Sequence, residues 1–203
     1  LRSHLNANKV KMEENKKNKL NKLFKAIETC KNCSLCQNRI NSVVSRGNIN
    51  AKIMLIGEAP GKLENQVGQP FVGKSGQQLN ELLSKAGFNP EQDIYFCNVV
   101  KCRPVKNNKD RKPYKQEIEA CIKFLNAQIE IIAPKIIILC GNTAKRIFRI
   151  NKPMKTVHGT CINNDNIRLF PVYHPRASIT DEVKLNDFKK IKNSEVDDEK
   201  ATI

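Results

Sequence analysis

Four short apolar runs, each separated from the next by a segment of helical periodicity, constrain this sequence more than any other feature. They cover 52–57, 93–100, 135–140 and 168–172. A strand half-exposed to water alternates apolar and polar residues, whereas these runs are nearly continuous, so each reads as a strand buried on both faces. Leu79, Leu82, Leu83 and Ala86 share one face of a helix that starts near Ser75 and stops at Gly87. A second helix spans 115–132, with Ile118, Cys121, Ile122, Leu125, Ile129 and Ile132 inward, and Pro134 ends it. Gly141-Asn-Thr opens a third, and Leu20, Leu23, Phe24 and Ile27 mark an amphipathic helix over 15–29. Strands alternating with helices predict an α/β fold: a three-layer α/β/α sandwich around a central four-stranded parallel sheet. Ligands of such sheets sit where the carboxyl ends of the strands open into loops. The polar, Gly/Pro-rich stretches 58–73 and 101–114 occupy those places.

The 203 residues suit one domain, expected over 15–190. Residues 1–14 read as a disordered or non-native lead-in, with Met12 the expected start, and 191–203 as a charged tail that frays. The formal net charge of +16 calls for an anionic partner, nucleic acid before anionic membrane. No stretch reaches the roughly 18 apolar residues of a membrane span, and the first residues lack the apolar core of a signal peptide. The expected location is intracellular, in the cytoplasm or at the nucleoid or nucleus.

Eight cysteines without an export signal argue for metal or redox use rather than disulfides. Cys30-Lys-Asn-Cys33 is a CxxC that Cys36 extends, and Cys102 and Cys121 lie downstream, after a strand and on a helix. Two plus two thiolates can close a tetrahedral site around zinc or bind an iron–sulfur cluster, and spacing does not choose between them. Cys97 and Cys140, inside apolar strands, read as small buried hydrophobes and Cys161 as a bystander.

Gly68-Gln-Pro-Phe-Val-Gly73-Lys74-Ser75 satisfies the phosphate-binding pattern G-x4-G-K-S. That pattern needs a buried strand directly before its first glycine. Residues 63–67 are too polar for one, so a nucleotide-hydrolysing site is rejected.

Five motifs occur in order: Cys30-Lys-Asn-Cys33-Ser-Leu35 with Arg39, Gly57-Glu-Ala-Pro-Gly61 followed by Glu64, Gly68-Gln-Pro-Phe-Val-Gly73, Asn98-Val-Val-Lys-Cys-Arg-Pro104, and His174-Pro175. With them the chain resembles the family-4 uracil-DNA glycosylases, the iron–sulfur branch of that superfamily, from Cys30 to about Ala177. The resemblance implies a monomeric, monofunctional DNA-repair enzyme that hydrolyses the N-glycosidic bond of uracil in single- or double-stranded DNA and leaves an abasic site. It implies a 4Fe-4S cluster on Cys30, Cys33, Cys102 and Cys121. Cys36 is an addition to the family pattern, open to ligand exchange, and the residues after His174-Pro175 have no clear counterpart in it. Two alternatives stand beside this reading: a non-catalytic iron–sulfur DNA-binding module, and a glycosylase of broader base choice.

A stacked base must be flipped into a pocket before its glycosidic bond is reached. On the resemblance, Phe71 supplies the stacking face. Asn98 is the reader, its amide accepting from uracil N3–H and donating to O4, a pattern cytosine reverses. His174 donates to O2, where negative charge gathers as the bond breaks, and a neutral imidazole suffices. Ala59 stands where better-known branches carry a water-positioning Asp. Two routes therefore remain open: Glu58 orients water, or the reaction is largely dissociative. Glu64 is expected to crowd uracil C5 and disfavour thymine. The basic run from Lys101 to Lys115, with Lys101, Arg103, Lys106 and Arg111, is expected to grip DNA phosphates together with Arg176.

Overall fold

The computed structural model describes residues 2–200, with side chains described for 10–195. The chain opens with α1 (Arg2–Glu28) and a single 3-10 turn at Ser34–Gln37. It continues through β1 (Arg46–Gly47), β2 (Ile53–Gly57), α2 (Lys62–Val67), α3 (Lys74–Lys85), α4 (Pro90–Asp93) and β3 (Ile94–Asn98). Next come β4 (Val105–Lys106), β5 (Lys109–Asp110), α5 (Lys115–Ile132), β6 (Ile136–Cys140), α6 (Asn142–Ile147) and α7 (Met154–Val157). The last elements are β7 (Ile162–Asn164), β8 (Ile167–Val172) and α8 (Asp181–Lys200).

The sheet runs β1-β3-β2-β6-β8-β7. β3, β2, β6 and β8 are parallel, with Gly57 opposite Asn98 and Cys140 opposite Val172. The expected four-stranded parallel sheet is thus the middle of a mixed six-stranded one. β1 pairs antiparallel with β3, and β7 antiparallel with β8. These edge strands escaped the hydrophobic pattern for a physical reason: β1 is two residues long and β7 is largely polar and exposed. Short polar edges also resist further strand pairing.

Side chains of the central strands divide between the two faces with period two. Met54, Ile56, Tyr95, Cys97, Ile137 and Leu139 face one core with Leu20 and Ile27 of α1 and Cys121 and Leu125 of α5. Ile53, Leu55, Ile94, Phe96, Ile136 and Ile138 face the other, with Leu79 and Leu83 of α3 and Phe188 and Ile191 of α8. Burial on both sides explains the continuous apolar runs.

Four boundaries differ from expectation. The amphipathic helix reaches back to Arg2 instead of starting near 15. The tail expected from 191 begins inside the fold: Phe188 and Ile191 are buried, and α8 continues to Lys200. Residues 201–203 lie outside the described ones. The stretch 58–73 contains α2, and 101–114 contains a hairpin whose turn residues Asn107 and Asn108 have φ of 52° and 58°. Asparagine tolerates that left-handed backbone, and two consecutive such residues build the tight turn of a two-residue hairpin.

Candidate active site

A cavity of about 490 Å³ opens at the carboxyl ends of β2, β3 and β6. β2 is followed in the chain by β3 on one side and by β6 on the other, so the crevice beside β2 is where the strand order reverses, the usual ligand position in such sheets. Glu58, Ala59, Glu64, Phe71, Asn98, His174 and Arg176 all line it.

Phe71 is held against its own preference. Its φ is 58°, costly for a side chain of this bulk. Three anchors impose it. Glu64 Oε1 accepts the N–H groups of Val72 and Gly73 at 3.1 and 2.8 Å. Arg46 Nε donates to Pro70 O at 2.8 Å while its guanidinium lies 3.8 Å over the Phe96 ring, and that ring tilts against Phe71 with centroids 5.8 Å apart. α3 presses against the same backbone at Gly76, where a Cβ would come within 1.9 Å of Phe71 O.

Asn98 ends β3, 3% exposed. Its neighbour across the ladder is Gly57, where a Cβ would come within 2.4 Å of Asn98 Oδ1 and 2.5 Å of Phe71 Cζ. The glycine therefore lets an amide and an aromatic edge meet over one backbone position. Glu58 follows it, and Thr143 Oγ1 at the start of α6 donates to Glu58 Oε2.

His174 follows β8. The backbone N–H of Arg176 donates to its Nδ1 at 3.2 Å. A backbone nitrogen only donates, so Nδ1 is the unprotonated nitrogen and Nε2 carries the proton. Burial holds the imidazole below the usual histidine range, and the charges of Arg176 and Lys184 add to this. Lys184 Nζ also donates to Pro175 O at 2.7 Å, fastening the turn behind the histidine.

The basic loop divides. Lys101 is 1% exposed, and its ammonium donates to Asn98 O and Gln128 Oε1. It is therefore not available to a phosphate, which corrects the expected DNA contact: the side chain of a residue directly after an apolar strand follows the strand inward. Arg103 is paired with Asp110 at 2.5 Å, and Arg111 is held by both oxygens of Glu117 at 2.8 and 2.6 Å. Lys106, Lys112 and Arg176 are exposed, the last two at the cavity rim.

On the opposite face of the sheet, Cys30, Cys33, Cys36, Cys102 and Cys121 line a second cavity together with Arg39, Lys101 and Phe124. Arg39 Nη1 donates to Cys102 Sγ at 3.3 Å, and the Lys101 amide to Cys121 Sγ at 3.4 Å. Burial raises the Cys33 and Cys102 thiols and pushes Cys121 up to about 11, so these sulfurs keep their protons unless a metal displaces them. Among the described residues, no three His, Cys, Asp or Glu side chains converge as they would around a single metal ion. Cys97 and Cys140 are fully buried and Cys161 is exposed.

The phosphate-loop pattern is excluded by α2, a helix, immediately before Gly68. Thr143, Arg46 and Gln128 stand outside the five sequence motifs, yet each holds a residue of the site or of its supports. Thr143 carried a usable signal, its place just past the end of a central strand. Arg46 and Gln128 carried none, since each works through partners distant in the chain.

The family described as Uracil DNA glycosylase superfamily matches residues 44–194. The chain is similar to proteins named as Type-4 uracil-DNA glycosylases. That of Thermotoga maritima is 41% identical over 165 residues, covering 77% of this chain and 84% of that protein. That of Sulfurisphaera tokodaii is 36% identical over 180 residues, covering 82% and 80%. That of Saccharolobus solfataricus is 37% identical over 169 residues, covering 77% of each.

Proposed function

The chain belongs to the uracil-DNA glycosylase superfamily and is a uracil-excising hydrolase of DNA repair; we propose how its pocket performs that excision and what its cysteines hold. The observation that carries the proposal is the meeting of Phe71 and Asn98 over Gly57, in the cavity that His174 and Glu58 also line.

The flipped uracil lies against Phe71. The Asn98 amide takes N3–H on its oxygen and gives an N–H to O4, and a base that reverses this pattern leaves a buried polar group unpaired. As the bond from C1′ to uracil N1 breaks, its electron pair moves onto the base and charge gathers on O2. The Nε2–H of His174 donates there, a bond stronger in the transition state than in the ground state. Glu58, held by Thr143, orients the water whose oxygen bonds to C1′, and the water's proton passes to the carboxylate or to solvent. Ala59 offers no carboxylate for that task. Glu64 shapes the pocket by fixing the backbone of 71–73, and its place in the lining is consistent with crowding uracil C5. Lys106, Lys112 and Arg176 hold flanking phosphates.

Cys30, Cys33, Cys102 and Cys121 would hold a 4Fe-4S cluster. Their shared cavity and the N–H donors on two of the sulfurs support this reading, in which each thiolate binds its own iron. When bound, it supplies a structural cross-link between 30–33, the basic loop and α5.

The test is incubation of the protein with uracil-containing oligonucleotides beside Asn98→Ala and His174→Ala. Abasic sites with the parent chain and their loss with both variants are expected. Full activity in both variants would displace the pocket.

A further inference from the structure

Lys101 lies between the two sites. It is among the largest fully buried side chains of the protein. Its ammonium donates to the backbone carbonyl of Asn98 at 2.5 Å and to Gln128 Oε1, and both acceptors are neutral. Gln128 is committed in turn: its Nε2 donates to Val44 O at 3.1 Å and to Tyr95 Oη at 2.9 Å. No carboxylate pairs with Lys101 among the described residues. An ammonium removed from water without a counter-charge costs several kcal/mol. What Lys101 does border is the cysteine cavity, and its own amide N–H reaches Cys121 Sγ.

On the reading that this cavity holds a 4Fe-4S cluster, we infer that Lys101 is the internal counter-cation of the cluster and the residue that ties it to the base-reading Asn98. Four thiolates leave a cluster anionic overall. A buried cation beside it gains the charge partner that the neutral acceptors deny it, and the cluster gains a stabilising field. Two of the three ammonium N–H groups fix Gln128 and the carbonyl of Asn98. The cluster therefore bears on the pocket through one side chain, and no DNA contact is needed for Lys101 to matter. Lys101 is a positioning residue: it touches neither the base nor the reacting bond.

The experiment uses the holoprotein. Iron and sulfide content and the visible spectrum of the parent chain come first, and a parent chain that binds neither iron nor sulfide defeats the cluster reading itself. With the cluster present, the reduction potential is measured for the parent, Lys101→Met and Lys101→Arg. A nearby cation favours the more negative, reduced state, so Lys101→Met should shift the potential downward and Lys101→Arg should restore most of it. Lys101→Met should also raise KM for uracil-containing DNA more than it lowers kcat. A folded, cluster-bearing Lys101→Met with the parent's potential overturns the inference. Should Lys101→Met lose its cluster, Lys101→Gln and Lys101→Arg decide, since Lys101→Gln keeps a hydrogen-bond donor without the charge. Iron held by Lys101→Arg and lost by Lys101→Gln follows the charge, as inferred. Iron held by Lys101→Gln at the parent's potential, or lost by all three variants, would make Lys101 a packing residue and nothing more.

Discussion

The backbone N–H of Arg176 donates to Nδ1 of His174, which puts the imidazole proton on Nε2. Burial and the neighbouring cations keep this ring neutral. A histidine whose value lies below the ordinary one of about 6.5 gains its proton only at lower pH. On the proposed reading the neutral ring donates to O2, so kcat/KM should stay level as pH falls through the ordinary histidine range and drop only below it. A rate that rises as pH falls through that range would mean a protonated His174 does the work.

Gly57 is the floor shared by Asn98 and Phe71, the proposed reader and stacker. Gly57→Ala places a methyl group 2.4 Å from Asn98 Oδ1 and 2.5 Å from Phe71 Cζ, so both must move. Displacements near 1 Å at a reacting centre cost on the order of 100-fold in rate. A loss of that size in uracil excision is expected, with the far-ultraviolet circular dichroism unchanged.

The 71–73 loop depends on Glu64. Glu64→Ala leaves the N–H groups of Val72 and Gly73 without their acceptor. It should lower stability by about 1–3 kcal/mol in denaturant unfolding and raise KM. Glu64→Gln keeps an acceptor oxygen and should lie closer to the parent chain. If the two variants behave alike, the carboxylate's role is its charge and not its hold on the loop.

On the proposed reading, phosphate contact falls to the exposed cations. Lys106→Ala, Lys112→Ala and Arg176→Ala should each weaken binding to DNA of any sequence and reduce the salt slope by about 1. Titrations of a fluorescent oligonucleotide at several salt concentrations measure both. Arg103 and Arg111, tied to Asp110 and Glu117, should contribute less.

The parallel centre of the sheet was legible because Ile53–Gly57, Ile94–Asn98 and Ile136–Cys140 are buried on both faces and so carry unbroken apolar runs. That Phe71, Asn98 and His174 line one cavity was legible because the first, second and last central strands are parallel, and their carboxyl ends and the loops after them meet there. The edges were not legible: two residues of β1 hold no pattern. Lys101 was misread because net charge says nothing of direction, and its burial depends on Gln128, far along the chain. Arg46 escaped for the same reason, since its bonds to Pro70 and Asn80 and its stacking on Phe96 exist only in the folded chain.

The measurement closest to the central claim is single-turnover excision on one uracil-containing oligonucleotide by the cluster-loaded parent chain, Asn98→Ala and His174→Ala. Uracil released by the parent, with an abasic site left in the strand and release lost in both folded variants, is the predicted result. No abasic site at protein excess, or variants as fast as the parent, would contradict it.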